Sequence, residues 1–429
     1  SNVFFLENSQ MKKTFVAAAV LGALAGSAFA ADVTLYGVVD LGLNYQNTKV
    51  DSDNAARDKD STNVFKEQAG QNSGSRFGLK GTEDLGNGYK VGFVLENGFT
   101  PDDGKLGNGG RLFGREANLY VTSDFGTLSF GRVGALTSGA GSYNLMAYTP
   151  FSSGWGETVQ SKASFWLGDR DRMDNTVTYV TPSFAGVQVY AQYSFNRDGQ
   201  ETAGNERQND RYAALGATYK NGAFSSALIV DTVMHSYSST NQEDSLGVTL
   251  GASYDFEVVK LFAQAQYGKN ENKLGAATSY FNEGTSTKGV DGKYTYTGSN
   301  GYYLKTLSDE GWKGYAVTLG ATAPVMGGTF YAQASYLDSE TEADVSYEAA
   351  NVKEGNEANR GAPAKGLTAG LDATNWGIAL GYAYPFSKRT TVYTYASYNE
   401  LKMEVSNAVT SQTEKTKQTE VGFGLVHKF

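Results

Sequence analysis

Sixteen segments of this chain alternate between large apolar residues and small or polar ones. The hairpin "SRFGLKGTEDLGNGYKVGFVLENGF" shows the pattern: Phe77 and Leu79 lie on one face of its first arm, while Arg76, Gly78 and Lys80 lie on the other. After the turn "DLGNG" the alternation resumes. A period of two residues is typical of a β-strand, and Asn-Gly between two such runs is a strong hairpin signal. The pattern therefore predicts a chain built from antiparallel β-hairpins.

The connections between these segments alternate strictly between short and long. The segments cover residues 33–45, 75–83, 89–99, 112–123, 127–133, 175–181, 187–196, 211–220, 223–233, 245–255, 259–270, 314–323, 329–339, 375–384, 391–401 and 420–429. Seven connections are short turns, such as "SDFG" and "KNGA", and eight are long loops, the third of which covers residues 134–174. A sheet connected in this way has its long loops at one end and both termini at the other.

The large apolar face of the segments is predicted to contact lipid. In "TEVGFGLVHKF", Val421, Phe423 and Leu425 share one face, and Glu420 and Gly422 share the other, which suits a wet lumen. An even number of strands of about ten residues, with short turns on one side and long loops on the other, is typical of transmembrane barrels. A bilayer leaves no water for unpaired backbone groups, so the sheet must close. The sequence predicts an all-β, 16-stranded antiparallel transmembrane barrel, and the alternative is a large soluble protein made of two sandwiches.

The beginning of the sequence indicates export. Residues 11–30, "MKKTFVAAAVLGALAGSAFA", combine a positively charged start, a short apolar run and an Ala-Phe-Ala ending, which is typical of a secretory signal cleaved after Ala30. A membrane-spanning helix is the alternative, but it needs about 20 apolar residues. We therefore expect residues 1–10 to be a non-functional upstream extension, 11–30 to be the signal peptide and 31–429 to form a single barrel domain.

The composition argues against several classes of function. The chain has no cysteine, two histidines and a formal net charge of -9. No basic stripe is available for nucleic acid, and no Ser/His/Asp arrangement, phosphate loop or His-rich cluster points to an enzyme, a metal or another cofactor. The acid-rich stretch "DSDNAARDKD" lacks the Gly and Glu of a calcium-binding loop, which favours a solvated loop.

Five stretches together resemble the general diffusion porins of Gram-negative outer membranes. They are "VTLYGVVDLGL", the hairpin quoted above, "LFGREANLYVTSDFGTLSFGR", "NTVTYVTPSFAGVQVYAQY" and the terminal "GLVHKF". The resemblance implies a homotrimer of 16-stranded barrels that is surrounded by outer-membrane lipid, and each barrel passes small hydrophilic solutes and ions through its lumen down their concentration gradients. It also implies that the third long loop folds into the lumen, that the second (100–111) reaches over the neighbouring subunit, and that Phe429 is read by the barrel-assembly machinery.

The resemblance further implies a pore narrowed between a basic wall and an acidic loop. Arg76, Arg115 and Arg172 occupy the positions of the family's wall arginines, and Lys80 lies four residues after Arg76 on the same face. A mid-strand arginine is costly against lipid, which supports a lumen position. Rim positions near lipid headgroups remain the alternative for Arg115. Arg132 shares a face with Leu128 and Phe130 in the alternation and is therefore not included.

The acidic side of the narrowing departs from the family pattern, because "TPFSSGWGE" has Phe151 where the family often has an acid. Glu157 is the nearest acid and the candidate for the facing carboxylate. Asp169 and Asp171 are further candidates, with the alternative that they pair with Arg170 and Arg172. Since cations and acids nearly balance, we expect weak ion selectivity and predict no sign from the sequence.

Three functions remain open at this level. A non-specific porin fits best. A substrate-specific channel, such as a sugar porin, would need an aromatic ladder in the lumen, whereas most aromatic residues fall on the lipid face. A structural or adhesive surface barrel would have a closed lumen.

Overall fold

The computed structural model describes the chain from residue 33 to its C-terminus, with gaps. The described residues are 33–53, 60–146, 148–151, 155, 165–168, 170–199, 209–236, 243–272, 274, 285–288, 294–297, 303–307, 311–346, 367–406 and 411–429. The predicted signal peptide, its cleavage site and the upstream extension lie outside them. Among the described residues, the one helix is a 3-10 turn at Asn108–Gly110, and none is long and apolar enough to cross a membrane.

Twenty-one strands follow one another along the described chain. They are β1 (Thr34–Ser52), β2 (Asp60–Ala69), β3 (Arg76–Gly86), β4 (Tyr89–Thr100), β5 (Lys105–Leu106), β6 (Glu116–Ser123), β7 (Gly126–Gly134), β8 (Arg172–Val180), β9 (Val187–Ser194), β10 (Arg211–Asn221), β11 (Phe224–Met234), β12 (Leu246–Asp255), β13 (Lys260–Glu271), β14 (Thr285–Lys288), β15 (Tyr294–Thr297), β16 (Tyr303–Leu307), β17 (Trp312–Val325), β18 (Gly328–Ser346), β19 (Leu367–Pro385), β20 (Thr390–Ser406) and β21 (Ser411–Lys428). Sixteen of them form the barrel, and β2, β5 and β14–β16 lie in the long connections.

The barrel strands coincide with the sixteen predicted segments and close into a ring. Each pairs antiparallel with its neighbours, from β1 with β3 round to β20 with β21. β21 then pairs with β1 over fifteen residues, from Val38 opposite Lys428 to Ser52 opposite Glu414. The predicted closed antiparallel barrel is therefore confirmed.

The two faces of the barrel strands follow the predicted alternation. On β21, Val421, Phe423 and Leu425 are 45%, 55% and 45% exposed on the outside, whereas the inward Glu420 is fully buried. Inward positions of other strands carry buried polar residues such as Thr249 and Gln266. The large apolar face therefore points outward, as it must in a barrel surrounded by hydrocarbon.

The turns and loops explain how the strands are joined. In the first short turn, Asn87 and Gly88 both have positive φ (51° and 80°), the geometry that two-residue hairpin loops require and that Asn-Gly adopts readily. In the long loop before β17, β15 pairs with β14 and β16 pairs with β18. The stretch "KYTYTGSNGYYLK" has a turn of its own, which predicts a local hairpin between β15 and β16 within this outer loop, and that pairing is wrong. The count of sixteen barrel strands does not change.

Candidate functional site

The third long loop folds into the barrel. Both ends of this loop are held by glutamines of the wall. Gln192 on β9 accepts a hydrogen bond from the Leu136 N–H (3.1 Å), and Gln266 on β13 both accepts from the Leu167 N–H (2.8 Å) and donates to the Leu167 carbonyl (2.9 Å). Because an amide side chain both donates and accepts, it can continue a backbone ladder into a loop.

The middle of the loop crosses to the opposite wall, where inward-facing glycines make room for it. An ideal Cβ at Gly251 on β12 would lie 2.4 Å from the Tyr148 ring, and one at Gly320 on β17 would lie 2.3 Å from Pro150. Further round the wall, Phe151 packs against Gly381 on β19. These contacts extend from β12 to β19, so the loop narrows the lumen as predicted.

Aromatic residues hold the tip of the loop. Phe151 and Trp155 pack edge to face, with ring centroids 5.4 Å apart, and Trp155 also contacts Tyr331, Tyr393 and Tyr395 of the wall. The backbone N–H of Trp155 donates to the backbone carbonyl of Gln71, at the inner end of the first loop. Phe151, Trp155 and the tyrosines of β20 are buried, so these rings form a packed cluster between loop and wall and are not a ladder open to solutes.

A buried ion-pair cluster, which we call the Arg170 clamp, fixes the end of the loop. The Arg170 guanidinium donates from Nε to Asp231 Oδ1 (2.9 Å), from Nη1 to Glu271 and from Nη2 to Ser245 Oγ (3.3 Å). Thr137, at the start of the loop, donates to the other oxygen of Asp231 (3.1 Å). Burial alone would lower the pKa of Arg170, but the charges of Asp231 and Glu271 outweigh it and raise that pKa above its ordinary value.

Two arginines of the predicted basic wall, Arg76 and Arg115, meet at one carboxylate that the sequence does not single out. Glu96 on β4 accepts from Arg115 Nε (2.6 Å) and from the Tyr36 hydroxyl (3.0 Å), and it lies 3.6 Å from Arg76 Nε. Lys80 lies over the Tyr36 ring, with Nζ 5.4 Å from its centroid. The pairing of β3 with β4 is enough to predict this carboxylate, because Glu96 lies opposite Gly78, midway between Arg76 and Lys80.

Close packing of Arg115 along the wall depends on glycines. An ideal Cβ at Gly98 would lie 3.0 Å from Cδ of Arg115, and one at Gly74 would lie 3.0 Å from its Nη1. Arg115 is therefore directed along the inside of β3 and β4, beside Glu96 and near enough to Arg76 for the two charges to repel.

Arg172 lies at the rim beside this group. Its Nη1 donates to Asp171 (3.0 Å) and lies 3.4 Å from Asn108 Oδ1 of the second loop. The charges of Arg115 and Arg132 both act on it. Arg132 lies at a register shift between β7 and β8 and donates to Asp174 (2.6 Å). The strict alternation had put Arg132 on the lipid face, and the bulge explains why it belongs instead to the basic group.

Of the three acids predicted on the loop, the structure describes only Asp171. Glu157 and Asp169 lie outside the described residues. Asp171 pairs with its neighbour Arg172, in agreement with the alternative that the sequence left open. Arg170 pairs with Asp231 and Glu271 of the wall. In the part of the chain that the structure describes, no group of His, Cys, Asp and Glu is placed to hold a metal ion.

Phe429, the last residue, extends the pairing between the C-terminal strand and β1. Its backbone exchanges hydrogen bonds with Gly37 on β1 (3.0 and 3.1 Å), and its ring lies over that glycine, where an ideal Cβ would be 2.1 Å away. Any larger residue at position 37 would displace the ring.

Comparisons with known proteins agree with this geometry. The family model for Gram-negative porins matches residues 17–403. An outer membrane porin protein of Bordetella pertussis is 33% identical over 438 residues, which cover 98% of this chain and 100% of the relative. Outer membrane porin protein 32 of Delftia acidovorans is 32% identical over 271 residues, covering 62% of this chain and 72% of the relative. The solved structure of an anion-selective porin from Comamonas acidovorans superposes with a TM-score of 0.61 at 26% identity, covering 93% of this chain and 100% of that one.

The closed barrel, its outward apolar face and its infolded loop agree with these nearly full-length matches in sequence and in fold. The chain belongs to the Gram-negative porin family, and it is an outer-membrane channel for the passive diffusion of small hydrophilic solutes rather than an enzyme.

Proposed function

We propose that the narrowest part of the channel lies between the third loop and the basic wall formed by Arg76, Lys80, Arg115 and Arg172, and that it favours anions. One observation carries the proposal: two arginines, Arg76 and Arg115, share the single carboxylate of Glu96. The wall therefore keeps an excess of positive charge inside a narrow lumen, where fixed charges attract counter-ions strongly. Glu157, Asp169 and Asp171 are the proposed acids on the loop side.

The similar porin from Comamonas acidovorans is described as anion-selective, which supports the sign. The described residues favour the same sign. At the rim, Arg111 and Arg132 likewise share one carboxylate, Asp174, at 2.8 and 2.6 Å. These four arginines are thus paired with two carboxylates.

The test is the reversal potential of the purified channel in a gradient of potassium chloride. The wild type should prefer chloride. Arg76→Gln and Arg115→Gln should each move the reversal potential toward cations, and Glu157→Gln should move it toward anions. Lys313→Gln is the matched control, because Lys313 is exposed and pairs with Glu340 on another part of the barrel. A wild-type preference for potassium, or no change in either arginine variant at low salt, would refute the proposal.

We infer that the mature chain begins at Ala31 and that Phe429 acts as the assembly signal read by the barrel-assembly machinery. The family resemblance and the exposed position of Phe429 at the periplasmic end support this inference. N-terminal sequencing of membrane-extracted protein tests the cleavage. For the signal, Phe429→Ser should lower the amount of folded barrel in cells while leaving refolding into detergent intact. Equal loss in both assays would instead assign the residue to packing on Gly37.

A further inference from the structure

The connection between β2 and β3, residues 70–75, contacts both sides of the proposed narrowing. The carbonyl of Gln71 accepts the backbone N–H of Trp155, at the tip of the third loop. At the other end of the connection, Nη1 of Arg76 donates to the carbonyl of Gly74 (2.7 Å). The place of this connection in the lumen therefore decides how far the loop tip lies from Arg76.

Asp40, on the inner face of β1, holds this connection. Its Oδ2 accepts from the N–H groups of Asn72 (2.7 Å) and Ser73 (2.6 Å). Its backbone N–H donates to Ser75 Oγ (3.0 Å), and its carbonyl accepts from the same hydroxyl (3.2 Å) and from the N–H of Gly70 (3.0 Å). One residue of the wall therefore binds both ends and the middle of the connection.

The carboxylate of Asp40 is satisfied by hydrogen bonds rather than by a cation. The side chain is fully buried, and its Oδ1 accepts from the hydroxyl of Tyr393 on β20 (2.6 Å). Among the residues that the structure describes, no lysine, arginine or histidine lies within ion-pair distance of it. Buried polar groups of this kind need their hydrogen-bond partners. A carboxylate sealed from the lumen water in this way acts on the channel chiefly through the groups that it holds.

We propose that Asp40 is a positioning residue of the channel. By holding residues 70–75 it fixes the distance between Arg76 and the tip of the third loop, and this distance sets the width and the anion preference of the narrowing. The inference rests on the narrowing proposed above at the basic wall. What the site requires is an acceptor of the length of aspartate, because its oxygen must reach two adjacent N–H groups of the connection from a fixed strand.

Two substitutions separate the position of the acceptor from its charge. Asp40→Asn keeps the length, since the amide can turn its oxygen to the N–H groups of Asn72 and Ser73 and donate to the hydroxyl oxygen of Tyr393. Single-channel conductance, current noise and the reversal potential should stay close to wild type. Asp40→Glu keeps the charge but adds a methylene group to a fully buried site, so it must displace the connection. We expect rapid current noise and a reversal potential shifted toward cations, because Arg76 loses its fixed place.

A second pair of variants acts from the loop side and leaves β1 unaltered. Asn72→Pro removes the N–H that donates to Asp40 (2.7 Å), whereas the matched control Asn72→Ala retains it. Asn72→Pro should add the same current noise, and Asn72→Ala should behave as wild type. Tyr393→Phe is a further control, because it removes only the hydrogen bond to Oδ1 and should leave the current quiet. Heat-dependent mobility on gels shows whether each barrel is folded, and if Asp40→Glu does not fold, the two Asn72 variants decide alone.

Altered current or selectivity in Asp40→Asn together with wild-type behaviour of Asp40→Glu would overturn the proposal, because the carboxylate would then act through its charge. Wild-type currents in both Asp40→Glu and Asn72→Pro would overturn it as well, since other contacts would then hold the connection. Loss of the folded barrel in Asp40→Asn would assign Asp40 to the stability of the barrel instead. The sign of the wild-type reversal potential tests the proposed function separately, because current noise reports the position of the loop tip whichever ion the channel prefers.

Discussion

Nε of Arg170, near the end of the third loop, lies 2.9 Å from Oδ1 of Asp231 on β11 of the barrel wall, and both side chains are almost completely buried. The two residues are sixty-one positions apart in the chain. The start of the loop reaches the same carboxylate through Thr137. One buried carboxylate therefore joins both ends of the loop to the barrel.

Removing the cation of the Arg170 clamp should release the loop. Breaking a buried ion pair by deleting one partner typically costs about 3–5 kcal/mol, because the other charge is left buried and unpaired. We expect Arg170→Met to lower the temperature of thermal unfolding and to add rapid current noise in single-channel records. Lys313→Gln breaks an exposed pair, worth about 0–1 kcal/mol, and should do neither. A quiet, wild-type current in Arg170→Met would show that other contacts suffice to hold the loop.

A side chain at position 251 should push the loop into the lumen. Tyr148 occupies the space of the missing Cβ, so Gly251→Val forces the ring away from β12. We expect a clear drop in single-channel conductance with normal barrel folding, checked by heat-dependent mobility on gels. Gly370→Val is the control, because the nearest atom to its ideal Cβ, Oγ of Ser406, is at an ordinary 3.4 Å. Unchanged conductance in Gly251→Val would show that Tyr148 does not pack on β12 at this position.

Neutralising Glu96 should increase the preference for anions. Glu96→Gln removes the one carboxylate that Arg76 and Arg115 share, so the positive field in the lumen grows. The reversal potential in a salt gradient should move toward anions at low salt. The effect should fade at 1 M salt, where the screening length is about 3 Å. Glu340→Gln, on an exposed carboxylate, serves as control, and an equal shift in both variants would mean that Glu96 has no special role.

The second loop is expected to hold together the homotrimer that the family resemblance implies. The last residue of this loop binds the barrel of its own subunit, since Arg111 contacts both carboxylate oxygens of Asp174 at 2.8 Å. The exposed part before them, residues 101–106, is free to meet a neighbour. Replacing that part with a short linker should convert an SDS-resistant trimer into monomers while Arg111 stays in place. Native mass spectrometry will decide, and a wild-type monomer in mild detergent would exclude the trimer.

Much of this fold is predictable because the two-residue period is strong where one face meets lipid and the other meets water. Phe423 and Glu420 can be assigned to opposite faces from the sequence alone. Strict alternation assigns Arg132 to the lipid face, but a bulge at this residue changes the register and turns it to the basic group. Local patterns carry no signal for such a shift.

The lumen was harder to predict than the wall. The small and polar face of the strands suggests an open, wet interior, but Gly251 and Gly381 on that face receive Tyr148 and Phe151 of the loop. The sequence leaves open that Arg170 pairs with a neighbouring aspartate, whereas in the structure it pairs with Asp231 and Glu271, 61 and 101 residues away. Contacts of this kind depend on the path of the loop through the barrel, which the sequence does not encode in any local pattern.

The position of the narrowing can be measured directly, because the chain has no cysteine of its own. Single cysteines at Arg76 and at Lys260, near the periplasmic end of β13, are each treated with a bulky charged thiol reagent during single-channel recording. If the channel is narrowest at the basic wall, modification of Arg76→Cys should block most of the current, and modification of Lys260→Cys should barely change it. Strong block at position 260 with little effect at position 76 would show that the channel is not narrowest at the basic wall.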